Sequence, residues 1–142
     1  MDPRDFLDVA LLLSGEAKDA PGEAKYRSAV GRAYYALHNV VTQVLAEIGF
    51  NLRRDPSGHA KASRYLVNSK LPDAIQVGKI LESLRDERNE ADYNMTAPGF
   101  EQRAAVSACL RAKTAVDALA RVNLQDLKSA ITEYLRQIGE LK

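Results

Sequence analysis

From Glu23 to Ile48 the chain runs without a proline for about seven helical turns, and this stretch dictates the fold class. Val30, Ala33, Leu37, Val40, Val41, Val44 and Ile48 recur at helical spacing and form one apolar arc, and Gly49 is a natural stop. Opposite that arc, Ser28, Arg32, Tyr35, Asn39 and Gln43 make a nearly straight polar line. The outer face of a surface helix usually carries Lys and Glu. A line of Arg, Tyr and Asn reads as a groove or an interface, with a plain solvent face as the alternative.

The remaining segments follow the same period, and none shows a convincing two-residue alternation. Asp2-Pro3 opens a helix to about Ala17 that buries Phe6, Leu7, Ala10 and Leu11, with Leu13 a further candidate, and the stretch from Gly15 to Gly22, with Pro21-Gly22, breaks it. A loop through Arg53, Arg54, Asp55, Pro56 and Gly58 leads to a shorter helix from about His59 to Ser69. Helices over Pro72–Tyr93 and about Phe100–Val122 follow, divided at Pro98-Gly99, and Asn123 caps a last helix. The expectation is an all-α, antiparallel bundle of about five to six helices, a single domain over residues 1–142.

Composition narrows the function classes. Twenty Lys and Arg face 19 Asp and Glu, so no strongly basic surface announces a nucleic acid, though a compact basic patch fits within that sum. Cys109 is the only cysteine; set among Ala104, Ala105, Ala108 and Ala112, it reads as a buried reduced thiol. Residues 1–5 carry neither a basic leader nor a signal-type apolar run, and no stretch approaches the ~20 apolar residues of a membrane span. These features predict a cytoplasmic protein with no membrane association.

Within the helix from Pro72 to Tyr93, Val77, Ile80, Leu81, Leu84 and Ala91 share a face, and Arg88 falls in the middle of it. A guanidinium keeps its proton, so its burial demands a partner, a subunit interface or a polar cleft. Asp92, one turn on, is placed to pair with it, either as a structural ion pair or as part of a site. There is no phosphate-binding Gly-rich loop, no paired-cysteine zinc pattern and no Gly-x-Ser-x-Gly elbow. His38 and His59 are the only histidines, without a carboxylate spacing typical of a metal motif, so neither metal nor cofactor is expected.

Two runs carry a resemblance. Tyr26-Arg27-Ser28-Ala29-Val30-Gly31-Arg32-Ala33-Tyr34-Tyr35-Ala36-Leu37-His38 resembles the second-helix Ala-x-x-Arg-Ala-Tyr-Tyr-Ala signature of small HEPN-domain proteins. Arg88-Asn89-Glu90-Ala91-Asp92-Tyr93 resembles the Arg-x-x-Ala-Asp-Tyr motif of the same branch, and His59 matches a histidine often found between the two. Order and spacing agree over roughly residues 23–120.

The resemblance implies a HEPN helical bundle, generally dimeric, whose active members are metal-independent endoribonucleases and often toxins beside a minimal nucleotidyltransferase antitoxin. Tyr93 stands where the usual active motif has histidine. A free phenol titrates near pH 10 and a free imidazole near 6.5, so the exchange moves proton transfer onto another group. The expected catalytic set is Arg88, His59, Asp92 and Tyr93. In it Arg88 holds the scissile phosphate, His59 or Tyr93 takes the 2′-hydroxyl proton, and Asp92 orients Arg88 or the phenol. Arg32 and Tyr35 are expected to contact RNA by phosphate binding and base stacking. Tyr34 is expected in the core with its hydroxyl satisfied, and His38 in a structural role. The rival expectation is a catalytically silent subunit that binds a nucleotidyltransferase or a nucleotide, or a scaffold in which Arg88 only knits a dimer together.

Overall fold

A computed structural model describes residues 2–15 and 22–140. Six helices occupy them: α1 (Asp5–Leu13), α2 (Gly22–Glu47), α3 (Pro56–Val67), α4 (Pro72–Tyr93), α5 (Gln102–Ala120) and α6 (Leu124–Gln137), with no strand among the described residues. The protein is an all-α helical bundle. Helix α2 is its central rod, packed against α1, α4 and α5, while α3 lies on α4. The pairing of α2 with α4 is antiparallel: Arg27 meets the carbonyls of residues 90–97, the Cβ position of Gly31 faces Asp92, and Tyr35 meets Arg88.

The core follows the sequence period. Val30, Ala33, Leu37, Val40 and Val41 of α2 are buried against Leu81 and Leu84 of α4 and the small-residue stripe of α5. In that stripe Ala105, Ala108, Cys109, Ala112 and Ala115 are fully covered, and side chains this small let α5 approach closely. Burial pushes the Cys109 thiol above its ordinary range. Leu127, Ile131 and Leu135 close the bundle from α6, whose first turn is capped by the Asn123 side chain accepting from Asp126 N.

Helix boundaries depart from the sequence reading at two places. Helix α1 stops at Leu13, Leu11 faces outward and Ser14 is buried in its stead; Ala17 and Pro21 lie outside the described residues. Helix α3 begins at Pro56, a turn before His59. Asp55 caps it through its carboxylate, which accepts from Gly58 N at 2.9 Å, and proline takes the first position. Gly58, which reads as a loop residue, is required inside the helix because a Cβ there would sit 1.7 Å from the Arg53 carbonyl oxygen. The chain therefore folds tightly back over the first turn of α3. That crossing holds Arg53 and Arg54 beside His59.

Candidate functional site

Arg88 leaves the core face of α4 toward α2, and three neighbours fix its planar head. Nη2 donates to the Tyr35 hydroxyl at 2.5 Å, Nη1 donates to Asn89 Oδ1 at 3.1 Å, and Nε lies 3.0 Å from Asp92 Oδ2. The Nε–H is not aimed at that oxygen, so Arg88 and Asp92 form an ion pair rather than an aligned hydrogen bond. The Arg88 side chain keeps 17% of its surface accessible and that of Asp92 38%. The cation is thus held in one orientation without being sealed. Tyr93, largely exposed, places its ring centre 5.6 Å from the guanidinium carbon.

On the other side of the tyrosine pair, Tyr34 is fully buried and its hydroxyl lies 2.5 Å from Nδ1 of His59. Burial holds the phenol protonated, pushing its pKa up to about 12. Burial, reinforced by the nearby Arg85 and Arg88 charges, pushes His59 below its ordinary value, so the ring is neutral at pH 7. Among the described residues the phenol has no other hydrogen-bond partner, so Tyr34 donating and Nδ1 accepting is the arrangement that leaves its buried proton paired. The ring proton of His59 then sits on Nε2. That assignment follows from the hydrogen-bond network.

His38 completes the cluster. Its ring stacks on that of His59 with centres 3.9 Å apart and planes 4° from parallel. Nδ1 of His38 is sealed without a partner, and burial followed by the His59, Arg85 and Arg88 charges drops its pKa to about 4. Two stacked imidazoles beside two arginines can coexist only because both rings are neutral. Arg85, one turn before Arg88, forms no hydrogen bond or ion pair among the described residues, yet its charge bears on Tyr34, His38 and His59.

The fold therefore brings Arg88, Asp92, Tyr93, Tyr35 and His59 of the expected residues into one neighbourhood. Arg32 stands apart. It is exposed, one helical turn before Tyr35, with its guanidinium 5.9 Å from the ring of Phe6 on α1. Sequence reasoning missed His38 and Arg85 as members. Arg85 was legible as the i−3 neighbour of Arg88, and His38 as the residue one turn after Tyr34. It also missed Arg27, whose buried head donates to the carbonyls of Glu90, Ala91, Asn94, Met95 and Ala97 and lies 4.4 Å from the Phe100 ring centre. These carbonyls end α4 and follow it, so Arg27 is the C-terminal clamp of the helix that carries Arg88.

Through Tyr35, His38 and His59 the cluster adjoins a cavity of about 630 Å³ bounded by α2, the start of α3 and the loop between them, which Arg88, Asp92 and Tyr93 do not line. Tyr35, His38 and His59 form its inner wall, and Arg53 and Arg54 belong to its rim. Among the described residues no group of three or more His, Cys, Asp or Glu side chains is placed to hold a metal ion, and no helix is long and apolar enough to cross a membrane. Chemically, the arrangement offers one fixed cation, Arg88, with a second, Arg85, nearby, and a neutral N–H donor to an anion such as a phosphate.

No family model matches the chain, and no solved structure matches it. Two uncharacterized proteins of Methanocaldococcus jannaschii are similar to it. One is 32% identical over 113 residues, which cover 68% of this chain and 66% of the relative. The other is 29% identical over 93 residues, covering 55% of this chain and 52% of the relative. The chain spans just under two thirds of one of these curated relatives and about half of the other.

Proposed function

We propose that this chain is a HEPN-type, RNA-binding and RNA-cleaving protein, metal-independent, the toxin of a toxin–antitoxin or defence system in the cytoplasm. The observation that carries the proposal is the Arg88 head, pre-oriented by Tyr35, Asn89 and Asp92 and still accessible, with Arg85 and neutral His59 nearby. A phosphodiester entering there meets fixed positive charge, the kind of preorganised field that stabilises a phosphorane-like transition state. In the reaction, the RNA 2′-hydroxyl gives up its proton to solvent water and attacks the adjacent phosphorus, and the departing 5′-oxygen takes a proton from solvent. The bond to the 5′-oxygen breaks, leaving a 2′,3′-cyclic phosphate and a 5′-hydroxyl. Arg88 binds a non-bridging oxygen, His59 donates to it through Nε2–H, and Asp92 holds Arg88 in place.

The functional unit in this reading is a homodimer that brings two such sites together, with Tyr93, 74% exposed beside Arg88, and Met95, 65% exposed just past the end of α4, at its interface. A minimal nucleotidyltransferase is the proposed antitoxin partner. Expression toxicity and cleavage of total RNA, compared between wild type and Arg88→Ala, test the proposal. Equal toxicity of the two proteins overturns it.

One observation favours a second reading. With Tyr34 donating to Nδ1, the Nε2 of His59 already bears its proton and cannot accept another from the 2′-hydroxyl. To act as a base the ring must first change tautomer, which strands the Tyr34 proton. A catalytically silent subunit that binds a nucleotidyltransferase or a nucleotide needs no such change. A dimeric wild type that binds RNA or a nucleotidyltransferase without cleaving RNA meets that description.

A further inference from the structure

The polar line along α2 divides in the folded protein. Its upper part, at Arg32, is exposed on the α1 side near Phe6, whereas Asn39 and Gln43 line the cavity beside the histidine pair. Three features of this cavity point to one kind of ligand. No carboxylate lines it, and Arg53 and Arg54 stand exposed at its edge with no ion-pair partner among the described residues, so an anion is welcome. His38 has its Nδ1 sealed, which leaves Nε2 as the only polar atom its ring can offer the cavity, next to Nε2–H of His59. Asn39 and Gln43, one helical turn apart, each set an amide donor beside an amide acceptor.

We propose that this cavity is a base-reading subsite for the nucleotide next to the phosphate held at Arg88. Asn39 and Gln43 read the base edge, and Arg53 and Arg54 hold the following phosphate. The inference rests on the reading of the Arg88 cluster as an RNA site. Adenine is the favoured base, because the paired donor and acceptor of an amide match its N6 and N7. The volume lies within the roughly 300–1,000 Å³ of small-molecule sites and accepts a purine. Gly58 belongs to the design: by letting the Arg53 backbone cross α3, it sets both rim arginines at the entrance.

The test uses the full chain and fluorescent tetraribonucleotides of each base, 2′-O-methylated so that binding is read without cleavage, with the four nucleoside monophosphates as a separate arm. Anisotropy should show the adenine tetramer binding tightest. Gln43→Ala and Asn39→Ala, on the open side of α2, should each reduce that preference about tenfold, the worth of one good amide contact. Arg53→Ala with Arg54→Ala should weaken all four tetramers alike. Binding indifferent to the base, or unchanged in all these variants, overturns the subsite. If unmodified RNA is nevertheless cleaved, the function proposed above survives without it. Base-selective binding that depends on Gln43, with no cleavage of unmodified RNA, keeps the subsite and removes the nuclease. Capture of AMP alone, with no tetramer bound, overturns the strand assignment in favour of a free nucleotide.

Discussion

The hydroxyl of Tyr34 pairs with Nδ1 of His59 across the α2–α3 contact, and with the phenol as donor this single bond sets which nitrogen of His59 carries the ring proton. Tyr34→Phe removes the constraint. The expected result is a mixed tautomer population for His59, read from ring ¹⁵N shifts, where the wild type shows Nε2–H alone. Stability should fall by about 1 kcal/mol, the usual net worth of one hydrogen bond. A wild-type His59 that carries its proton on Nδ1 contradicts the assignment.

His38 makes stability depend on mild acid. Its folded-state pKa of about 4 lies below the ordinary 6.5, so between those values the unfolded chain binds a proton that the folded chain refuses. Stability is complete above pH 6.5 and is lost as the pH falls toward 4, by up to about 3 kcal/mol. The depressed His59 adds to the loss in the same direction. Urea midpoints measured from pH 7.5 to 4 should show this slope, and His38→Gln should flatten it. Equal slopes for the two proteins contradict the role of His38.

Arg27 should matter for stability more than any exposed arginine, since its head is shared among five carbonyls and Glu23. Arg27→Ala strips the guanidinium bonds from the carbonyls at and just beyond the end of α4, of which Glu90 and Asn94 keep a backbone donor, at a cost of about 2–4 kcal/mol. Arg27→Lys recovers little, because a single ammonium cannot span the fork. Thermal melts check this, with Arg136→Ala as the exposed comparison, expected to change little because its pair with Glu133 is solvated.

The helices were legible from periodicity because burial enforces it: the α2 arc and the α4 stripe are the faces that pack. The start of α3 was also written in the chain, as Asp55 before Pro56, but Gly58 reads as a breaker unless the crossing Arg53 backbone is known. The pairing of Arg88 with Asp92 follows from spacing within one helix, whereas Tyr35 and His59 reach that neighbourhood only through helix packing. Arg27 was hidden for the same reason. Its five acceptors are main-chain carbonyls more than 60 residues away, and no side-chain pattern records them.

A homodimer is the expected solution species, with the end of α4 at its interface. Tyr93, beside Arg88, and Met95, just past the end of α4, are large and exposed. Met95→Asp puts a charge on that surface without touching the core. Light scattering should report a dimer for wild type and a shift toward monomer for the variant, with unchanged helicity. A wild type that is monomeric across micromolar concentrations removes the dimer from the proposed function.

Cleavage, finally, separates the three residues that face a bound phosphate. Arg88→Ala should keep the bundle folded, since its partly accessible head gives up one ion pair and the hydrogen bonds to Tyr35 and Asn89 while the apolar core stays intact, and should abolish RNA cleavage and toxicity. Arg88→Lys should be nearly as inactive, because a lysine cannot engage Tyr35, Asn89 and Asp92 together. His59→Ala should reduce cleavage by at least about 100-fold, whether the ring donates from Nε2 or relays a proton after changing tautomer. Those two roles part in Tyr34→Phe: a base freed from its tautomer lock becomes faster, and a pure donor becomes slower as its orientation loosens. Tyr93→Phe should impair cleavage without abolishing it, since an exposed phenol offers a phosphate oxygen a hydrogen bond and little basicity near neutral pH. A dead Tyr93→Phe beside a fully active His59→Ala reverses the assignment and moves the proton chemistry to the end of α4.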